Sequence, residues 1–272
     1  MAVLTFLSDY GYRDEFVGVV HGVIAGIAPD ARIIDVTHGI PRHDVRAGAV
    51  MLARALPHMP AGIHLAVVDP GVGGDRRGVA LRVRDGNRVL VGPDNGLLTA
   101  AADVFGGVVE AVEITHSPWR LEPVSATFHG RDVFAAVAAR LAAGGDLSRA
   151  GRDFDPDALE RLELPPAKRE DDGTLVTEVT VVDAYGNIGL AGEKEEPGVA
   201  GVSGWEYGTR LLVQTRLGRE LARVARAFSD VEPGELLYYQ DSAGDPALAV
   251  NRGDAAGRLG LMPGDTVWIS TP

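Results

Sequence analysis

Three polar side chains stand at points of the sequence where secondary-structure elements meet. Asp9 follows the apolar segment "VLTFL", Asp69 follows "IHLAVV", and His129 stands in "SATFHGRD" at the entrance to an alanine-rich segment. In open parallel sheets, ligands bind outside the carboxyl ends of the strands. Because carboxylate and imidazole groups can both accept protons, the sequence predicts a site for proton-transfer chemistry at this edge of a sheet.

The segment "VVDPGVGGDRRG", residues 67–78, carries the densest set of such groups. It lacks the Walker pattern G-x-x-x-x-G-K-[ST], and no G-x-G-x-x-G opens a helix there. Taken alone, it is equally well a simple turn, because proline presets φ and glycine tolerates positive φ. Arg76 gives it a permanent positive charge, which stabilises an anion but cannot accept a proton.

Other chemistries lack their sequence signatures. The chain contains no cysteine, which excludes disulfides and thiolate catalysis. His38 and His43 do not form the H-E-x-x-H pattern, and G-x-S-x-G is absent. The sequence therefore predicts no metal site and no covalent nucleophile, which leaves a carboxylate, an arginine and a histidine as the candidate reactive groups.

The composition indicates an acidic chain with enough apolar residues for a sizeable core. Of the 272 residues, 46% are hydrophobic, and 26 basic against 38 acidic side chains give a net charge of −12. Such a charge gives no general reason to bind nucleic acid or an anionic membrane. Neither a signal-peptide pattern nor a long apolar run is seen, so we expect a cytoplasmic, soluble protein.

The pattern of elements predicts two domains. Apolar runs of strand length alternate with helical spacing over residues 1–164, which is typical of an α/β domain with a mostly parallel, doubly wound sheet. "LELPPAKREDDG" then marks a linker, assigned to residues 165–173. Short strand-like runs separated by glycine-rich turns follow over residues 174–272 and predict a smaller antiparallel β-barrel.

One segment of the second domain, "VVDAYGN" at residues 181–187, could also bind a ligand. Asp183 could pair with a cation, Asn187 offers a donor and an acceptor, and Tyr185 supplies a flat apolar surface, as does Phe228 further on. For isolated residues, a hairpin turn and a core phenylalanine are the better interpretations.

The motifs taken together resemble the S-adenosyl-L-methionine (SAM) hydroxide adenosyltransferases, the SAM hydrolases related to the fluorinating and chlorinating enzymes. The resemblance spans nearly the whole chain. It rests on "FLSDYG", "DVTHGIPRHDVRAGA", "VVDPGVGGDRR", "VGPDNGLL", "ATFHGRDVFAA" and "VVDAYGN", in that order.

The resemblance implies hydrolysis of SAM to adenosine and methionine, without a cofactor, by an Asp-Arg-His set that falls on Asp69, Arg76 and His129. It also implies a homotrimer that binds SAM between subunits. Asp9 would hold the ribose hydroxyls, and Asp14 lies in the acidic stretch near the methionine. The full set of expected substrate-binding residues is Asp9, Asp14, Phe128, Asp183, Tyr185, Asn187, Phe228 and Ser242. Of these, Asp183 would bind the methionine amine, Ser242 its carboxylate, Asn187 the adenine edge and Phe228 the adenine face.

Two alternatives stay open at this point. One is a halogenase-like enzyme, and the other is a protein that binds SAM or adenosine without reaction. The halogenating relatives place a tyrosine, a threonine and a serine around the halide, where this chain has Asp69, Val72 and Gly130. Their pocket tryptophan and an arginine correspond here to His43 and Ala243. These departures favour the hydrolase.

Overall fold

The computed structural model describes residues 2–192 and 202–272 and divides the chain into two compact units. The first unit spans Met1–Leu162 and the second Glu163–Pro272. Within the segment predicted as a linker, Lys168–Arg169 forms a short strand that pairs with the next one.

The first unit is built on a seven-stranded sheet with the order β2-β1-β3-β5-β4-β6-β7. Its strands are β1 (Val3–Ser8), β2 (Arg32–Thr37), β3 (Ile63–Val67), β4 (Gly78–Val83), β5 (Val89–Pro93), β6 (Val108–Glu113) and β7 (Arg152–Phe154). The pairs β1–β2, β1–β3 and β3–β5 are parallel, whereas β4–β5, β4–β6 and β6–β7 are antiparallel. The predicted α/β class is confirmed, and the parallel half of the sheet carries the N-terminal motifs.

The antiparallel half starts from a hairpin that the sequence indicates. The segment "RDGN" joins β4 to β5, with Gly86 at φ +83° and Asn87 at φ +49°. Gly86 adopts its positive φ without strain, and the Val83 N–H donates to the Arg88 carbonyl at 3.3 Å across the turn. The hairpin reverses the chain, which is why β4 runs against its neighbours on both sides.

Helices cover both faces of the sheet, as predicted for a doubly wound domain. They are α1 (Phe16–Ile27), α2 (Val45–Ala55), α3 (Thr99–Val104) and α4 (Ala136–Ala142), the last preceded by a π-helical turn at Gly130–Ala135. Alternate residues of β1 enter opposite cores: Leu4 and Phe6 pack with α1 and α4, and Leu7 packs with α2 and α3. Strands buried on both faces are rich in apolar residues, as β5 is, and β3 is apolar apart from the buried His64, which has hydrogen-bond partners in Thr5 and Arg88.

The second unit contains a closed seven-stranded barrel in the order β10-β14-β13-β12-β11-β15-β9, which the β9–β10 pairing closes. Its strands are β8 (Lys168–Arg169), β9 (Leu175–Val182), β10 (Ile188–Leu190), β11 (Arg210–Thr215), β12 (Gly218–Val224), β13 (Leu236–Gln240), β14 (Pro246–Val250) and β15 (Thr266–Ser270), with helix α5 at Ala255–Leu259. β8 extends the sheet at β9. The predicted barrel is confirmed, with one exception to its antiparallel pairing: β12 and β13 are parallel.

The barrel interior follows the period of two that a strand imposes. Along β9, buried residues alternate with half-buried ones, so that every second side chain enters the core. Tyr238 is fully buried there and shares a hydrogen bond of 2.6 Å with Ser203 through its hydroxyl. Over the described residues, no helix combines the length and the apolar character that crossing a membrane requires.

Candidate active site

A cleft of about 420 Å³ opens in the first unit, beside the carboxyl ends of β1 and β3. Its position agrees with the rule for ligand sites in open α/β sheets. Its lining residues are Asp9, Tyr10, Asp14, Phe16, Arg42, His43, Asp69, Val72, Thr127, Phe128, His129 and Gly130. Five of the residues predicted from the sequence are among them: Asp9, Asp14, Asp69, Phe128 and His129.

Arg76 lies beside the cleft and holds Asp69 in a two-point ion pair. Its Nε donates to Asp69 Oδ1 at 2.8 Å, and its Nη2 donates to Asp69 Oδ2. The Asp69 side chain is 6% exposed and that of Arg76 11%, so the pair is largely removed from water. A bidentate pair of this kind fixes the plane of the carboxylate as well as its position.

The same guanidinium also reaches His129. Arg76 Nη2 lies 3.0 Å from His129 Nδ1. Because guanidinium has no acceptor, Nδ1 must be the acceptor in this bond. A neutral His129 therefore carries its proton on Nε2 and presents an N–H donor on that side of the ring. The three residues predicted to act together thus form one chain of contacts, Asp69–Arg76–His129.

Burial and the neighbouring Arg76 cation lower the pKa of His129 below its ordinary value of 6.5. Both effects disfavour the protonated ring, the imidazolium. Protonation would also block Nδ1, the atom that accepts the hydrogen bond from Arg76.

We expect His129 to titrate below pH 6.5 in the folded protein and to carry its neutral-form proton on Nε2, which ¹⁵N NMR of the imidazole can show. The Arg76→Gln variant should titrate at higher pH, because it removes the cation and leaves the Asp69 carboxylate nearby. A midpoint at or above 6.5 in the parent protein would contradict this picture of the site.

The glycine-rich loop lets the segments that carry Asp69 and His129 approach each other. Gly73 has φ +76°, and a Cβ built on it would lie 2.3 Å from the carbonyl oxygen of Ala126. Any larger residue would push away the segment that carries His129. Gly73 is therefore required for close backbone contact with that segment.

Asp132 fixes the loop that leads to His129. It is 1% exposed, accepts the Ser125 N–H at 2.8 Å, and accepts from Arg131 Nε at 2.6 Å. The π-helical turn that contains it begins at Gly130, directly after His129. Such turns within helices are frequent at functional sites. They place His129 at the mouth of the cleft instead of on the helix surface.

The Asp9 carboxylate is held by the backbone N–H of His43, a residue with an unusual backbone conformation. One oxygen, Asp9 Oδ2, accepts the His43 N–H at 2.9 Å. His43 has φ +66°, a region that non-glycine residues enter at a cost. The contact fixes the Asp9 carboxylate at the cleft wall, and its other oxygen is left to bind a ligand.

Tyr10 is the main cleft residue that sequence reasoning missed. Its ring makes edge contacts with Phe6, Phe16 and Phe128 at centroid distances of 6.3, 5.8 and 5.9 Å. Burial and the Asp9 and Asp69 carboxylates raise its pKa, so the phenol stays protonated. A Cβ built on Gly130 would lie 2.0 Å from the Tyr10 hydroxyl. Tyr10 therefore occupies the space that a side chain at position 130 would need.

The predicted ligand residues of the second unit lie on its turns. The Asp183 carboxylate accepts the Tyr185 and Asn187 N–H groups at 2.8 and 2.9 Å, and Asn187 Nδ2 at 2.7 Å. The side chain of Tyr185 is 81% exposed and that of Phe228 40%, which are high values for apolar rings. Ser242 is exposed in the turn between β13 and β14. The alternative of a core phenylalanine is therefore wrong for Phe228.

The remaining cleft residues had weaker sequence signals. Phe16 lies at the start of a helix and Arg42 in a connection between elements. Thr127 adjoins the predicted Phe128 and His129. Arg42 and Thr127 lie within two of the segments that carry the family resemblance, but the resemblance assigns them no role, and Phe16 lies in none of these segments. Only the apolar face shared by Phe16 and Phe128, whose rings are 5.2 Å apart, explains why Phe16 reaches the cleft.

Comparison with known proteins identifies the family. Residues 4–151 match the N-terminal domain of the SAM hydroxide adenosyltransferases, and residues 177–268 match their C-terminal domain. The chain belongs to this family.

Named relatives and a solved structure agree with the assignment. The chain is 49% identical to an (R)-S-adenosyl-L-methionine hydrolase of Salinispora tropica, over 98% of this chain and 97% of that one. It is 29% identical to a fluorinase of an Actinoplanes species, over 98% and 97% of the two chains. The crystal structure of an uncharacterized conserved protein from Thermotoga maritima superposes with a TM-score of 0.87 at 35% identity, covering 98% of this chain and 99% of that one.

Proposed function

We propose that this protein is an enzyme that hydrolyses S-adenosyl-L-methionine to adenosine and L-methionine, with water attacking C5′ of the ribose. The observation that carries the proposal is the Asp69–Arg76–His129 chain of contacts at the wall of the cleft. Membership of the family and the name of the relative at 49% identity support the substrate and the reaction.

The electron balance of this reaction explains why a base and a cation suffice. The water oxygen forms a bond to C5′ while the C5′–S bond breaks. Its electron pair passes to the sulfonium sulfur, which leaves as the neutral thioether of methionine and needs no acid. The difficulty lies with water, a poor nucleophile that must lose a proton as the new bond forms.

The geometry supports a separate role in water activation for each of Asp69, Arg76 and His129. Each Asp69 oxygen has a lone pair beyond the one that Arg76 occupies, so Asp69 can accept the proton of the attacking water. Arg76 stabilises the hydroxide-like charge as it develops, in a site from which water is largely removed. His129 presents its Nε2–H and can orient the water oxygen as a donor. Sequence reasoning left the proton acceptor open between Asp69 and His129, and the Arg76 bond to Nδ1 favours Asp69.

Substrate binding is divided between the two units in this proposal. Asp9 binds the ribose hydroxyls with its free oxygen, Asp14 lies near the methionine, and Phe128 supplies apolar surface. In the second unit, the expected ligand residues are Asp183, Tyr185, Asn187, Phe228 and Ser242, with the roles that the family resemblance implies. The reaction consumes water alone beside SAM, so we infer no cofactor.

We also propose a homotrimer with SAM bound between subunits, because the residues that match the family's binding set are split between the two units. We expect light scattering at assay concentration to give three times the chain mass of 28.6 kDa. An active monomer under those conditions would refute a SAM site shared between subunits, but it would not contradict the proposed reaction.

A cytoplasmic location and the lack of a nucleic-acid partner stay predictions. Both rest on composition: the net charge is −12, and the chain lacks cysteine.

Incubation with SAM in ¹⁸O-labelled water tests the reaction. We expect adenosine that carries the label at its 5′-hydroxyl and unlabelled methionine. Unlabelled adenosine in a single turnover would mean that an enzyme carboxylate donated the oxygen. Binding of SAM without products would overturn the proposal in favour of a non-catalytic binder.

Adding chloride or fluoride to the same reaction tests the halogenase alternative. One observation against it is that the Tyr10 hydroxyl fills the space beside Gly130. The family resemblance adds that Asp69 takes the position of the halide-pocket tyrosine, so that a negative charge would stand where the halide binds. A halogenated nucleoside among the products would show that a halide nevertheless reaches C5′.

A further inference from the structure

Three metal-ligating side chains meet in the first unit without any part in the proposed reaction. His21 comes from α1, Asp35 from β2, and His38 follows β2 directly. One nitrogen or oxygen of each lies within 4.8 Å of the others. The sequence predicts no metal here, since the spacing of these residues fits no known motif and only the fold brings them together.

The distances are close to those of a coordination shell. Asp35 Oδ1 lies 2.8 Å from His21 Nε2 and 3.1 Å from His38 Nε2. Ligand atoms about 2.0–2.1 Å from a tetrahedral ion stand roughly 3.3 Å apart. A small outward movement of the two rings would therefore accommodate an ion among the three atoms.

His38 supplies an independent sign of a ligand. It is 1% exposed, and its Nε2 makes no hydrogen bond of acceptable geometry among the described residues, although that atom is directed at the cluster. Buried polar atoms normally have partners. An ion between Nε2 and the Asp35 carboxylate would satisfy this nitrogen.

The other side of the His38 ring is arranged as in metal sites. His38 Nδ1 lies 2.7 Å from Ser8 Oγ. Metal-bound histidines commonly donate their second N–H to such a partner, which fixes the tautomer and the ring plane.

We propose that His21, Asp35 and His38 form a binding site for a divalent transition-metal ion such as Zn²⁺, with water completing the shell. Two imidazoles and one carboxylate suit Zn²⁺ and its first-row neighbours better than Mg²⁺ or Ca²⁺, which prefer oxygen ligands. The partial exposure of His21 and Asp35, 35% and 26% of the side chains, gives the ion a path of entry.

The site would stabilise the segment that carries the cleft residues Asp9 and Tyr10. Ser8 Oγ, the partner of His38, accepts the Tyr10 N–H at 3.3 Å, and the His38 carbonyl accepts the Gly11 N–H at 2.7 Å. An ion that holds His38 therefore holds both ends of this segment. The inferred role is structural and does not depend on which reaction the cleft performs.

Titration of chelator-treated protein with Co²⁺ and Zn²⁺ tests the inference. We expect one equivalent of Co²⁺ to produce visible d–d absorption of a four-coordinate ion, Zn²⁺ to displace it, and Zn²⁺ to raise the Tm. His21→Gln and Asp35→Asn should each weaken binding by about tenfold or more, with unchanged far-UV circular dichroism. His58→Gln, at an exposed histidine outside the cluster, should bind like the parent.

Two results would overturn the inference. The first is a parent protein that takes up no Co²⁺ with these bands. The second is a folded His21→Gln variant whose affinity equals that of the parent. Either would identify the cluster as a hydrogen-bonded trio in which Asp35 accepts from the two imidazoles.

Discussion

The Asp69→Asn variant is expected to lose about a hundredfold or more in kcat with SAM, while its affinity for SAM changes little. The amide keeps nearly the shape of the carboxylate but offers one acceptor oxygen instead of two, so it cannot both pair with Arg76 and take the proton from water. Arg76 is then left without a buried counter-charge, which also weakens its hold on His129.

Single-turnover assays and equilibrium binding of SAM separate the two effects. Asp75→Asn is the matched control, because Asp75 belongs to the same loop but is exposed and does not line the cleft. It should retain near-normal turnover. If Asp69→Asn is as active as this control, Asp69 is not the proton acceptor, and the roles assigned within the set are wrong.

The sequence predicts those site residues that follow the end of a strand. Asp9 and Asp69 follow parallel neighbours, β1 and β3, so a reader of the sequence can place both at one edge of the sheet. The pairing of Arg76 with Asp69 is also foreseeable, because the six residues between them include three glycines and can fold back on themselves. The bond from Arg76 to His129 Nδ1, which decides the tautomer, depends on an approach between distant segments that no local pattern reports.

Other features escape prediction because tertiary contacts create them. The sequence assigns no role to Tyr10, and only the folded chain shows it packed among aromatic rings against Gly130. Likewise, the sequence pattern indicates β13 as a strand but not β12, whose segment "GRELARV" carries three charged residues, and the parallel pairing of the two strands follows from the crossing connection between them. A 3₁₀ turn at Phe228–Asp230 lies in that connection, which exposes Phe228 instead of burying it.

The contact between Tyr10 and Gly130 is the tightest one in the cleft that a substitution can probe. A methyl group at position 130 would lie 2.0 Å from the Tyr10 hydroxyl, and the rings of Phe6, Phe16 and Phe128 limit any movement of Tyr10. Without the hydroxyl, the nearest ring atom would be Tyr10 Cζ at 3.1 Å, which a small shift of the ring relieves. The loss of stability caused by a side chain at position 130 should therefore depend on the hydroxyl oxygen of Tyr10.

The Gly130→Ala variant is accordingly expected to lower the free energy of unfolding by about 1–3 kcal/mol, the usual cost of overpacking, and to reduce turnover by displacing Tyr10. Tyr10→Phe in the same chain should recover most of that loss, so that the two changes couple with an energy of about 1–2 kcal/mol in urea denaturation. Gly18→Ala, in α1 with open space around the new methyl group, is the control and should be neutral or stabilising.

Strict additivity of Gly130→Ala and Tyr10→Phe would show that a backbone shift relieves the close contact at position 130. The Tyr10 hydroxyl would then not be what closes this corner of the cleft to a serine, and the exclusion of halide would rest on the charge of Asp69 alone.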